Sequence, residues 1–172
     1  PGPIGLMGVA VAKAMGAQPV ILTGTRDNRL KMGTELGADH VINIHNENPV
    51  EKVKELTGGI GADYVLECSG AAQSVNEALY MCNRGGRICL AAFPDKEVPI
   101  DVKYIVTNNI YLYGIRGEGK SATHRAGAYM EQGAFDATKI HTHTFQLKEV
   151  PTAIKYARER IEDAIKVVVK MR

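Results

Sequence analysis

Tryptophan is absent from the 172 residues, and cysteine occurs three times. The odd count, with no C-x-x-C pair, argues against a disulfide-stapled scaffold and against a zinc site built from this chain. Cys68, Cys82 and Cys89 all sit in apolar stretches, so buried and reduced thiols are expected, as in a reducing cytoplasm. An excess of one charge is also missing. The 21 basic and 19 acidic residues leave a net charge of +2, which calls for neither a nucleic acid nor an anionic membrane surface. No apolar run is long enough to span a bilayer, and no signal-peptide pattern is visible. Nucleophile-elbow and P-loop lysine motifs are lacking as well.

What is present suits one compact core, with 45% hydrophobic and 23% charged residues. Apolar residues recur at helical spacing from Ile4 to Met15, and Gly16 ends the run. Pro19–Thr23 reads as a short parallel strand without alternation, covered on both faces. Asp27 or Asn28 caps a helix to Leu36, and His40–Asn43 is the next strand. Pro49 opens a helix to Thr57. Ala62–Glu67 is a strand, Ala71–Cys82 a helix, Arg84-Gly85-Gly86 a turn, and Arg87–Ala92 a strand. Asp101–Thr107 is a short helix, Ile110–Tyr113 a strand, and 114–119 a flexible loop. Ser121 or Thr123 caps a helix to Gly133. Glu149–Ile161 is a helix, and Ala164–Lys170 is a strand with no obvious partner, as if it belonged to a neighbouring domain. Strands alternating with helices predict an α/β, doubly wound parallel sheet.

Candidate chemistry gathers at three turns. Pro1-Gly2-Pro3-Ile4-Gly5 reads either as a plain turn or as the back half of a G-x-G-x-x-G fingerprint. In the second reading Gly2 lets backbone approach a pyrophosphate, Gly5 lets the next helix pack closely, and that helix turns its N–H groups to the phosphates. An acidic residue about 20 positions on would bind a ribose 2′-hydroxyl, whereas an arginine there suits a 2′-phosphate. The count reaches Gly24-Thr25-Arg26. This stretch offers space, a hydroxyl and a guanidinium, or else is a surface turn in which Asp27 neutralises Arg26. Ser69 and Gly70 end one strand on the carboxyl edge of the sheet, and Ala91 and Ala92 end the next. Both turns are either plain connections or a cofactor-facing edge. His141 and His143 form an H-x-H pair without a third metal ligand at sensible spacing, so structural roles are expected. No residue of the chain stands out as catalytic or as a metal ligand.

Gly2-Pro3-Ile4-Gly5-Leu6, Arg29-Leu30, Leu36-Gly37-Ala38-Asp39 and Gly61–Gly70 recur in one family in this order. So do Gly85-Gly86-Arg87-Ile88, His143-Thr144-Phe145 and Ile165-Lys166-Val167-Val168. On these stretches the chain resembles the cofactor-binding half of zinc-type medium-chain alcohol dehydrogenases, especially their polyol (sorbitol-like) and threonine dehydrogenase branches. The resemblance implies a Rossmann-type sheet lacking its first strand in this chain. It implies a dinucleotide-binding domain over 1–140 and a C-terminal helix and strand over 141–172 that return toward a catalytic domain. Cofactor contacts are implied for Gly2, Pro3, Ile4, Gly5, Gly24, Thr25, Arg26, Arg29, Ser69, Gly70, Ala91, Ala92 and Arg116. Gly-Thr-Arg at 24–26 is similar to NADP-using members, where NAD-using ones carry Asp first.

The implied activity is hydride transfer between a small primary or secondary alcohol and NADP(H), with NAD(H) the lesser expectation. Zinc would be bound by an N-terminal domain outside these residues, so the chain alone is expected to be inactive. A homodimer or homotetramer is implied, with Ile110–Tyr113 as the pairing edge. Two alternatives share the cofactor domain: a zinc-free quinone or enone reductase, and a non-catalytic dinucleotide-binding or oligomerisation module.

Overall fold

The computed structural model describes residues 1–117 and 121–171. Helices and strands alternate as α1 (Pro3–Ala14), β1 (Ile21–Gly24), α2 (Asp27–Glu35), β2 (His40–Asn43), α3 (Pro49–Leu56), β3 (Ala62–Glu67) and α4 (Ala72–Met81). There follow β4 (Cys82–Leu90), α5 (Val102–Thr107), β5 (Tyr111–Gly114), α6 (Ala122–Glu131), β6 (His141–Gln146), α7 (Val150–Glu159) and β7 (Lys166–Lys170). Glu118 and Gly119, the last two residues of the expected flexible loop, lie outside the described residues.

Local chemistry sets most of these boundaries. Pro3 and Pro49 sit in the first turns of α1 and α3, where a missing N–H costs nothing. The Asn48 side chain accepts from the Val50 and Glu51 N–H groups, and Asp101 accepts from the Tyr104 N–H at 2.9 Å. Arg26 rather than Asp27 or Asn28 is the N-cap of α2, and its side chain makes no capping bond. The strand expected from Arg87 begins earlier, at Cys82, directly off α4. The glycine pair is therefore a kink inside β4, with Gly85 at φ +76° and its N–H held by the Asn108 carbonyl at 2.8 Å.

All strand pairs are parallel. β1 pairs with β2 from Ile21–His40 to Gly24–Asn43. β3, β4 and β5 form a second sheet in which Tyr64, Arg87 and Tyr111 lie in one row. In the doubly wound order 3-2-1-4-5-6, these sheets occupy ranks 3-2 and 4-5-6. Among the described residues no strand takes the rank between β1 and β3. Helix α1 packs on both β1 and β3 and so ties the two sheets together.

Three apolar clusters follow from this layering. Leu6, Val9 and Ala10 of α1 meet Val20, Leu22, Leu30, Leu36 and Ala38 on one side. Leu79, Ile88 and Ile110 close a second cluster under α4, and Ile42, Val53 and Met81 a third beside α3. The strand expected to lack a partner has one: β7 runs parallel to β6, from His141–Lys166 to Gln146–Lys170. Sequence spacing hid this pair because α7 separates its members, as in any parallel crossover. Ile140 is buried in the first cluster and Ile165 packs against it, so the β6–α7–β7 unit is joined to the body through core contacts.

Ile88 is fully buried at the centre of β4. Ile88→Ala is expected to lower unfolding free energy by about 2–5 kcal/mol and Ile88→Val by about 0.5–1.5 kcal/mol, read from urea titrations. A loss for Ile88→Ala no larger than a surface substitution gives would contradict this packing.

Candidate dinucleotide site

The N-terminal turn leaves two donors free. Gly2 caps α1 without a side-chain bond, Pro3 has no N–H, and the first intrahelical donor is the Leu6 N–H, to the Gly2 carbonyl at 2.9 Å. The N–H groups of Ile4 and Gly5 thus lack helical partners and stand at the positive end of the helix dipole. Nothing lies within 4 Å of where a Gly2 Cβ would be, so the backbone there is open to approach. Close helix packing falls one turn later than expected. A Cβ on Gly5 would make an ordinary 3.8 Å contact with Cys68, but one on Gly8 would stand 2.7 Å from the Leu66 side chain.

At the end of β1, a Cβ on Gly24 would be 2.5 Å from the Pro1 ring. The absent side chain is therefore also a packing requirement. Thr25 is exposed and Arg26 half-buried. Asp27 forms no ion pair with Arg26 among the described residues, and its carboxylate accepts from the Asn43 amide at 2.6 Å. Ion pairs among the described residues join Lys13–Asp39, Lys52–Glu55 and His143–Glu162, and none includes Arg26.

Arg29 is 6% exposed. Its Nη2 donates to the Ala164 carbonyl at 2.6 Å and its Nη1 to the Pro1 carbonyl at 3.4 Å, while Nε has no partner. Burial lowers its pKa, and repulsion from Arg160 and Arg26 adds to that, with Asp163 acting the other way. A guanidinium stays protonated nonetheless, so this is a buried cation held by carbonyls instead of a carboxylate.

The end of β3 is organised by a residue that sequence reading passed over as mere strand. Glu67 is 4% exposed, and one of its oxygens accepts from the Ser69 N–H at 2.7 Å, the Ser69 hydroxyl at 2.6 Å and the Ser74 hydroxyl at 2.9 Å. The Gly70 N–H reaches both oxygens at 3.1 Å. The available signal was a carboxylate two residues before a Ser-Gly pair, a spacing that favours local side-chain-to-backbone turns. Gly70 sits at φ +71°, with the Phe93 carbonyl 2.9 Å and the Ala92 Cβ 3.4 Å from where its own Cβ would be. The Ala91 N–H donates to the Glu67 carbonyl at 2.9 Å, and the Arg116 guanidinium lies 5.9 Å from the Phe93 ring centre.

The expected residues therefore form one continuous arc. It runs from Arg26, Arg29 and Gly24 through Pro1 to the Gly2–Gly5 turn, on through Cys68 to Ser69 and Gly70, and ends at Ala92 and Arg116. Cys68 and Cys82 are pushed up to about 11 by burial, which makes them poor nucleophiles. A concavity of about 640 Å³ lined by Gln146, Leu147, Lys148, Lys170 and Met171 lies off this arc and contains none of its residues.

A metal ion does not fit the residues present. Among the described residues no three His, Cys, Asp or Glu side chains are grouped to hold one. The H-x-H pair has structural partners: His141 Nε2 lies 2.8 Å from the Thr144 hydroxyl, and His143 packs edge-on against Tyr156.

Burial raises the Glu67 pKa, but hydrogen bonds from Ser69, Ser74 and Gly70 outweigh it and hold the carboxyl below its ordinary value of 4.5. Its stabilising contribution is complete above that value and is lost as pH falls through the lower folded-state pKa. Glu67→Gln is expected to lower stability at neutral pH and to flatten the acid side of the stability–pH curve. An unchanged acid limb would show that Glu67 does not titrate with unfolding.

Comparison with known proteins agrees with this geometry. A family profile described as "Zinc-binding dehydrogenase" matches residues 3–132. The chain is 32% identical over 170 residues to a sorbitol dehydrogenase of Bacillus subtilis (strain 168), covering 98% of this chain and 48% of that protein. It is 35% identical over 160 residues to an L-threonine 3-dehydrogenase of Bacillus licheniformis, covering 92% and 46%. An alcohol dehydrogenase structure from Thermotoga maritima superposes with a TM-score of 0.90 at 30% identity, over 98% of this chain and 48% of that one. The chain thus spans about half the length of the curated relatives it matches. It belongs to the zinc-type medium-chain alcohol dehydrogenase family and corresponds to that family's cofactor-binding domain.

Proposed function

We propose that this chain is the NADP(H)-binding half of an alcohol or polyol dehydrogenase that uses zinc held by another domain. The observation that carries the choice of NADP(H) is at the end of β1. Gly24 stands where a ribose-binding carboxylate would be, and Arg26 beside it has no acidic partner among the described residues. A 2′-phosphate dianion would supply the missing negative charge.

The other residues divide the cofactor among them. The Ile4 and Gly5 N–H groups would donate to the pyrophosphate, with Gly2 and Pro3 presenting bare backbone. Gly24 and Thr25 would flank the adenosine ribose, and Arg29 would support that end from beneath through its hold on Pro1. Ser69 and Gly70, fixed by Glu67, would lie along the middle of the cofactor. Ala91 and Ala92 would leave room near the nicotinamide, and Arg116 would border the cleft. The cofactor, when bound, accepts or gives the hydride. Named relatives that act on sorbitol and threonine support a small secondary alcohol or polyol as the substrate class.

With no group of metal ligands among the described residues, the chain by itself would bind cofactor but not turn over an alcohol. The outer edge of β5 has no partner among the described residues and carries the exposed Tyr111 and Tyr113, which supports pairing there with a second copy. The three cysteines are free, two of them buried, which supports reduced thiols and a cytoplasmic location.

Arg26→Ala is expected to weaken NADPH binding by about 1.5–3 kcal/mol while NADH binding stays unchanged, measured by calorimetry. Equal losses for both cofactors would remove the phosphate role. Gly24→Asp alone is expected to cost about 1–3 kcal/mol of stability, since its Cβ meets the Pro1 ring. Combined with Pro1→Ala, the same change should shift preference toward NADH. A double variant that still prefers NADPH would place the ribose elsewhere.

A further inference from the structure

We infer that Arg160, on the turn between α7 and β7, supplies a third guanidinium to the 2′-phosphate end of the site and so helps determine cofactor preference. The inference rests on the dinucleotide reading above and adds to it a residue from the far end of the chain.

The turn has an unusual backbone. Arg160 ends α7 in the left-handed region at φ 57° and ψ 39°, and Glu162 and Asp163 follow at φ 50° and 60°. Helices commonly end on a left-handed glycine, and three non-glycine residues there within four positions are strained. Such a conformation persists where the surroundings impose it. Here the Ala164 N–H closes on the Ile161 carbonyl at 3.0 Å, and the buried Ala164 carbonyl accepts from Arg29 Nη2 at 2.6 Å. The turn is thereby fastened to the residue that also holds Pro1, the neighbour of Gly24.

Fastening it this way brings like charges together. Arg160 is exposed and joins no ion pair among the described residues. It acts on Arg29 more strongly than Arg26 does, and the opposing effect of Asp163 is smaller than either. Arg26 and Arg160 thus both repel the buried Arg29 guanidinium, which keeps an unpartnered Nε. A phosphomonoester dianion beside Gly24 would relieve the repulsion, and a bare ribose hydroxyl would not. The arrangement discriminates on charge as well as on shape.

The test is calorimetric titration of the 172-residue chain with NADPH and with NADH. Variants are Arg160→Gly, which suits the left-handed backbone, Arg160→Asn, which tolerates it, and Arg160→Lys, which keeps the charge. Arg160→Gly and Arg160→Asn are expected to lose about tenfold in NADPH affinity, equal to about 1.4 kcal/mol, with NADH affinity unchanged and the thermal midpoint no lower than that of the wild type. Arg160→Lys should recover part of the loss. Wild-type NADPH affinity in both neutral variants, while Arg26→Ala still loses it, would overturn the role of Arg160 and leave the dinucleotide reading standing. Equal losses for NADPH and NADH would move Arg160 to the pyrophosphate and overturn the inference. A wild-type chain without preference for NADPH would overturn both.

Discussion

Gly8 leaves room for helix α1 to lie against Leu66 of β3, while Pro1, just ahead of that helix, packs on Gly24 of β1. These two contacts, together with the Ile42–Val53–Met81 cluster, hold together sheets that share no strand-to-strand hydrogen bonds among the described residues. The buried stripe Leu6, Val9 and Ala10 supplies the apolar area that keeps the helix in place. Everything at the candidate site depends on that position. It sets where the free Ile4 and Gly5 N–H groups stand, and it empties the space beside Gly24. It also brings Cys68, and with it the Glu67 turn, next to the N-terminal end of the helix. A side chain at position 8 would move the helix off β3 and separate the two halves of the arc.

The two buried charges beside this helix are handled in opposite ways. Glu67 is surrounded by donors from Ser69, Gly70 and Ser74, so its charge is fully satisfied and the turn it organises is rigid without any ligand. Arg29 has carbonyls for two of its nitrogens and nothing for the third, with further arginines nearby instead of a carboxylate. Burial of a cation under those terms is costly and leaves positive potential at the surface above it. One end of the arc is electrostatically complete in the free protein, and the other lacks a countercharge that an anion would supply. That asymmetry fits the NADP(H) proposed above, whose nicotinamide ribose is uncharged and whose adenosine ribose carries the distinguishing phosphate.

Most of the alternating architecture was legible in the sequence, because parallel strands and amphipathic helices leave separate periodicities and because prolines and glycines mark the ends. The turn residues of the arc were legible for the same reason: Gly2, Gly24 and Gly70 stand out against their surroundings. What was not legible depends on distance in the chain. The partner of β7 is separated from it by a whole helix, so no local pattern announces the pair. The choice of Asp27 between Arg26 and Asn43 could not be read from adjacency, and three-dimensional placement resolved it in favour of Asn43. Glu67 looked like the last residue of an ordinary strand because its four donors come from the turn and helix after it. Gly5 shows the reverse error: the motif assigned it close packing that Gly8 provides.

The last stretch of the chain also matters more than its position suggests. Ile140 and Ile165 enter the same apolar cluster as α1, and the Lys139 ammonium donates to the Glu35 carbonyl at the end of α2 at 3.1 Å. Arg29 of α2 reaches across to Ala164. Helix α2 is thus gripped at both ends by segments flanking the β6–α7–β7 unit. This is the helix whose N-terminus presents Arg26. Removing the unit would uncover the Arg29 guanidinium, take away the left-handed turn and free the N-terminal end of α2 to shift. On the proposed reading, the adenosine end of the site is a joint between the two ends of the chain, and cofactor preference would be a property of that joint more than of the Gly-Thr-Arg turn alone.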